Sequence, residues 1–111
     1  MYLAMNRFKV LKDKKEAFEA MWMERDSDLH NNPGFIEFRL LKGPEHEDHQ
    51  LYSSHTFWEK EEDFVIWTKS ESFRNAHRNA GKKSERTVMG HPQFEGFSTI
   101  QMIDKAGNKA A

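Results

Sequence analysis

From Tyr2 to Val10 the side chains alternate, with Tyr2, Ala4, Asn6, Phe8 and Val10 on one face and Leu3, Met5, Arg7 and Lys9 on the other. Period two predicts a strand. Asp13 followed by Glu16 has the spacing of a capping box, and Phe18, Met21, Trp22, Arg25 and Leu29 then recur at helical spacing. A helix is therefore expected from Lys14 to His30. "NNPGF" ends it, because Pro33 cannot continue a helix and Gly34 accepts turn geometry. "FIEFRLLK" predicts a second strand from Phe35 to Lys42. Beyond the polar loop "GPEHEDHQ", "LYSSHTFW" predicts a third that returns as a hairpin.

"EKEEDFVIW" opens with acidic residues suited to a helix N-terminus, and Ser70 can cap a second helix, "ESFRNAHRNAG", closing at Gly81. The second helical region is thus expected in two pieces, joined near Thr68 to Ser70. Residues 82–94, with Gly90 and Pro92, read as a long loop, and Gly96 to Ile103 as the last strand. The resulting order, βαββαβ, is that of an α+β, ferredoxin-like fold: an antiparallel sheet with helices on one face, the other face open to a partner copy. One domain over residues 1–103 is expected, with 104–111 a disordered tail.

Leu, Ile, Val and Phe together make up about a fifth of the chain, a level that at high net charge would suggest disorder. The net charge is only −1, and nine Phe, three Trp and six Met supply large apolar bodies. So small an aliphatic content favours burial of one face against a second copy, a homodimer. Without cysteine there is no disulfide framework and no thiolate metal site. A cytoplasmic location is expected, since no apolar run approaches the roughly 20 residues that would cross a bilayer. Lys and Arg (17) nearly balance Asp and Glu (18) without a basic stripe, so neither nucleic acid nor membrane is an expected partner.

Asn6 interrupts the apolar face of the first strand with an amide that must be paired, by the backbone or by a ligand. Counting from Phe73 by three and four gives Ala76, His77 and Ala80, which places His77 on an apolar stripe beside small residues with room for a flat ligand. A neutral imidazole there suits iron or a packed, hydrogen-bonded core. Arg25 lies on the inward stripe between Trp22 and Leu29, where its guanidinium either snorkels to the surface or meets an anion. Trp67, beside Phe64, reads as core or as pocket wall. His46 and His49 have chelating spacing, but in a polar hairpin loop they read as a solvated tip.

Asn6, Trp67 and His77, with "NNPGF" and "FWEKEEDFVIWTKSESFRNAH", resemble the signature of the IsdG-type haem-degrading monooxygenases, in the antibiotic-biosynthesis-monooxygenase-like superfamily. The resemblance spans about residues 1 to 103. It implies a dimeric α+β barrel, each subunit taking haem between its helices and sheet. By the same likeness His77 is the axial ligand of haem iron, Asn6 donates to oxygen held there, and Trp67 presses the porphyrin out of plane. Trp22, Arg25 and Phe64 line the pocket, and the 82–94 loop, with His91, closes over it. The implied reaction opens the porphyrin of bound haem, both substrate and cofactor, with O2 and electrons from an external reductase or small reductant, releasing iron and a linear tetrapyrrole. Iron acquisition or haem detoxification would be its purpose. Two other readings stay open: a cofactor-free monooxygenase acting on a quinol or aromatic polyketide, and a non-catalytic haem carrier.

Overall fold

Pairing along β1 (Tyr2–Val10) fixes the architecture. In a computed structural model that describes residues 1–25, 27–78 and 86–110, with the backbone alone of residues 75–78, β1 is followed by α1 (Lys15–Met23), β2 (Phe35–Glu45), β3 (Gln50–Trp58), α2 (Glu61–Thr68), α3 (Glu71–Arg78) and β4 (Gln93–Ser98). The sheet order is β2-β3-β1-β4, and all three neighbouring pairs are antiparallel. This is the expected α+β, ferredoxin-like βαββαβ fold.

Register sorts the two faces. Tyr2 lies opposite Trp58, Asn6 opposite Ser54 and Phe8 opposite Tyr52, so the face of β1 that carries Asn6 shares its side with Tyr52, Ser54, Thr56 and Trp58. All three helices pack there. Phe18 of α1 joins Val10 and Tyr52 in one core cluster, and Trp67 of α2 joins Tyr2, Ala4 and Trp58 in another, with Phe73 of α3 against it. The second face, with Leu3 opposite Phe57 and Met5 opposite His55, carries none of the described helices. Phe97 and Leu41, partly exposed, belong to it through their pairings with Leu3 and Ser53.

The break between the two later helices falls where expected. Ser70 Oγ accepts the Phe73 backbone N–H at 3.1 Å and donates to the Trp67 carbonyl at 2.6 Å, capping α3 while closing α2. The expected closure at Gly81 lies outside the described residues.

α1 differs from its expectation. Asp13 lies in a 3-10 turn over Lys12–Lys14 rather than at an N-cap, and Lys14, which holds that place, makes no side-chain capping bond. The helix ends at Met23, not His30. Ser27 Oγ takes the Leu29 N–H at 3.2 Å, the kind of local bond that competes with helix, and a second 3-10 turn covers Leu29–Asn31. β2 runs three residues further than expected, to Glu45, because the Gln50 amide holds the Gly43 carbonyl at 2.6 Å and the Pro44 carbonyl at 3.3 Å. β4 starts at Gln93 and ends at Ser98, before the expected Ile103. Of the expected loop, residues 87–89 are tied to the end of β1: Val88 bridges Val10, the Met89 N–H donates to the Lys9 carbonyl at 2.7 Å, and the Leu11 N–H to the Thr87 carbonyl at 2.8 Å. Where fraying was expected, β5 (Met102–Ile103) and β6 (Lys109–Ala110) form a short exposed ladder.

Candidate functional site

The two core clusters do not meet. Between them Asn6 and Ser54 form a polar pair across β1 and β3, and above it opens a cavity of about 1230 Å3. That exceeds the roughly 300–1,000 Å3 of ordinary small-molecule pockets.

Its floor is the helix-facing side of the sheet. Ser54 and Thr56 are buried at 5% and 8% exposure, and Asn6, partly buried, is flanked in register by Ser54 and Phe94. The Asn6 amide makes no hydrogen bond among the described residues. Of the two alternatives open for it in the sequence, pairing by the backbone is not found among the described residues.

One wall comes from α1 and β2. Trp22 stacks on Phe38 at 5.7 Å and 16°, and meets Phe8 edge-on at 5.7 Å. The irregularity of β2 between Phe35 and Glu37 turns both Phe35 and Phe38 toward the helices, which strict alternation would not do. α1 is held to the sheet by Tyr52, whose hydroxyl donates to Glu19, while Lys42 lies 3.4 Å from the same carboxylate. That bond, more than any other influence, holds Glu19 below the usual carboxylate range. Burial first, and then the Glu19 partner, push the Tyr52 phenol well above its ordinary value.

The opposite wall is Trp67, 8% exposed, whose ring centroid lies 5.5 Å from Trp58, 6.3 Å from Phe64 and 4.8 Å from Phe73. Asn6, Trp22, Arg25, Phe64 and Trp67 thus all line the one cavity. Position 77 is on α3, four residues after Phe73, which lines the cavity too; the His77 side chain lies outside the described residues.

Arg25 follows the end of α1, yet its Cζ sits 4.1 Å above the Trp22 ring centroid. This is stacking rather than the snorkelling weighed from sequence. Burial lowers the guanidinium's pKa below the ordinary arginine value, and no carboxylate pairs with it among the described residues. The Trp22 Nε1 beneath is buried without a partner there. Sequence reasoning missed Phe8, Phe38, Ser54 and Thr56. The alternation in "LYSSHTFW", which sets two small polar residues inside an otherwise aromatic face, was the signal for the last two.

Arg86 and His91 complete the rim, Arg86 with its Nε on the Val88 carbonyl at 2.9 Å. His91 also borders a smaller pocket with His46 and His49. His49 is buried, with Nδ1 2.6 Å from Asp48 Oδ1 and its ring stacked on His46 at 4.6 Å, so only His46 is the solvated tip expected of both. No group of three or more His, Cys, Asp or Glu able to hold a metal occurs among the described residues. None of the described helices is long and apolar enough to cross a membrane.

A flat, largely apolar guest with an acidic edge fits these surfaces: facing aromatic walls, an amide on the floor and an arginine at one end. Residues 1–79 match the antibiotic biosynthesis monooxygenase family. A protein of Staphylococcus haemolyticus named heme oxygenase (staphylobilin-producing) is 33% identical over 88 residues, 78% of this chain and 83% of that protein. Among solved structures, the heme-degrader MhuD of Mycobacterium tuberculosis, with two hemes bound in its active site, superposes with a TM-score of 0.71 at 22% identity, covering 94% of this chain and all of that one. The cofactor-independent oxygenase SnoaB of Streptomyces nogalater superposes with a TM-score of 0.65 at 18% identity, covering 94% and 97%. The chain belongs to the antibiotic biosynthesis monooxygenase family, in its IsdG-type branch.

Proposed function

We propose that this monooxygenase degrades haem, opening the porphyrin ring with O2 and external electrons to release iron and a linear tetrapyrrole. The observation that carries the reading is the split core: two aromatic clusters held apart over a strand amide without a partner among the described residues, enclosing a space large enough for a macrocycle. The names of the relatives point the same way. When bound, haem supplies the oxygen activation that side chains lack.

The chain's own contribution is placement. Trp67 on one side and Trp22 with Phe38 on the other give a flat ring two opposed aromatic surfaces, and the close packing of Trp67 on Trp58 and Phe73 makes that wall rigid enough to bend what lies against it. Asn6 offers an uncharged N–H from the floor, directed by a strand paired on both sides. His77 would hold the iron of bound haem, and Phe64 and Arg25 would complete the contacts. The face of Leu3, Met5, Phe57 and Phe97 is where a second copy closes a barrel. The protein acts in the cytoplasm, with a reductase or small reductant as electron donor, in iron acquisition or haem detoxification.

Purified protein mixed with haemin, then given ascorbate in air while the spectrum is followed, tests the reading. A shifted Soret band that bleaches on reduction supports it. A stable shifted band assigns haem carriage instead. No shift leaves the cofactor-independent chemistry that SnoaB's shape makes the second reading. His77→Ala is expected to abolish the shift, while Asn6→Ala and Trp67→Ala keep it and slow the bleaching.

A further inference from the structure

The seam between the two core clusters is polar where a central strand favours apolar residues. Ser54 and Thr56 lie two apart on the helix-facing side of β3, 5% and 8% exposed, and Asn6 stands directly opposite Ser54 on β1. All three line the cavity, and none of their side chains has a hydrogen-bond partner among the described residues. Residues facing each other across an antiparallel pair hold their Cβ atoms about 4.5–5.5 Å apart, and diagonal neighbours lie about 7–8 Å apart. Asn6 and Ser54 are thus placed to grip one small molecule from two sides, with Thr56 within reach of it. A buried hydroxyl left without a partner is costly, and valine at either β3 position would suit the strand and let the Phe18 and Trp67 clusters merge. Tyr52 and Trp58 flank the two hydroxyls on the same face, so the aromatic pattern of β3 is interrupted over the cavity. Buried polar groups are satisfied by protein, water or ligand, and here the last two remain.

We infer that Ser54 and Thr56 are hydrogen-bond donors beside Asn6, and that the three side chains form the seat of a small oxygen ligand, O2 or the water that competes with it, on the cavity floor. The inference rests on the haem reading above and deepens it. In that reading α3, in the helix layer, supplies one ligand to the iron, and a small molecule on the other side of the ring meets the sheet. A hydroxyl carries one donor that rotates to suit its acceptor, and it can also accept from a water. The other sheet residues lining the cavity among those described are apolar: Ala4 and Phe8 on β1, Phe35 and Phe38 on β2, and Phe94 on β4. Asn6, Ser54 and Thr56 therefore supply the polar contacts of the floor. None of the three is acidic or basic, so they bind and orient the small ligand and neither give up nor take a proton.

Fluoride, a small anion that binds ferric haem and accepts hydrogen bonds strongly, reads the seat without turnover. It is titrated into the haemin-loaded full chain at one pH, and its affinity and the position of the charge-transfer band of its complex are followed. Loss of one donor corresponds to an affinity weaker by roughly 5- to 10-fold. Ser54→Ala should weaken fluoride binding by that factor and move the band, with haemin affinity unchanged, and Ser54→Thr should restore most of the loss. Thr56→Val, which keeps the shape of the side chain, should show a smaller loss in the same direction; unchanged fluoride affinity there removes Thr56 from the seat. Unchanged fluoride affinity in Ser54→Ala overturns the inference and leaves the haem reading standing. A fall in haemin affinity as large as the fall in fluoride affinity overturns it too, since it marks Ser54 as structural. No Soret shift when haemin is added to the parent overturns both the inference and the haem reading.

Discussion

Replacing Asn6 with valine should make this protein more stable and less active. The amide sits on the central strand between Ser54 and Phe94, with apolar Ala4 and Phe8 as its neighbours on the same face, and has no side-chain hydrogen bond among the described residues. A fully buried, unsatisfied polar group costs about 1–3 kcal/mol. Asn6 is only partly buried, so the lower end applies, about 1 kcal/mol. Valine removes that cost, and its branched side chain suits a central strand, a preference worth some tenths of a kcal/mol on a scale that spans about 1. The net expectation is a gain of about 1 kcal/mol. With a urea m-value of about 1–2 kcal/mol/M, the unfolding midpoint rises by roughly 0.5–1 M. Tryptophan fluorescence in urea, at one fixed protein concentration so that any self-association contributes equally to both proteins, measures the shift. Haem bleaching under ascorbate, measured on the same preparation, should fall. An unfolding free energy that drops by about 1 kcal/mol or more at unchanged m would show that the amide is a structural hydrogen bonder, and the reasoning about the cavity floor would fail.

Three further outcomes follow from the packing. Ser70→Ala removes the cap that starts α3 and should cost about 1 kcal/mol, and because His77 is carried on that helix, haemin affinity should fall with it; thermal unfolding and Soret titration give both numbers. Tyr52→Phe should remove an acid-side dependence: Glu19 titrates below its ordinary value because of the Tyr52 bond, so the stability it contributes is present above the unfolded carboxylate pKa and lost as pH falls through the lower folded one. The gap between parent and variant in urea should therefore be widest near neutrality and close on acidification toward the folded pKa. Gly96→Ala would put a Cβ against the Tyr2 hydroxyl on the neighbouring strand, so it should destabilise by about 1–3 kcal/mol and be partly rescued in a Tyr2→Phe background, as a double-mutant cycle by calorimetry would show.

Much of this arrangement was legible in the residues. Period-two alternation placed Asn6 on the helix side of β1, and the Ser70 signal located the break between α2 and α3. The end of α1 was not legible, because Leu29 continues the helical spacing in a segment where the chain has left the helix. A 3-10 turn packs it instead against the Trp67 cluster, across the cavity from Trp22, a placement that periodicity does not show. The stacking of Arg25 was hidden for a related reason. Spacing of three places it next to Trp22, but whether a cation leans on a ring or reaches for water is decided by what else pairs with it, a property of the folded surroundings. Phe38 escaped notice because an irregular strand moves every residue after it to the opposite face.

The division of the apolar interior into two halves has a thermodynamic corollary. A guest lying between the Phe18 and Trp67 clusters joins what the chain alone leaves as separate packing units, so occupancy and folding are linked through the same contacts. At a ligand concentration one hundred times its dissociation constant, the linkage is worth about 2.7 kcal/mol. A porphyrin would then act as a keystone, and its addition should raise the melting temperature in step with its concentration.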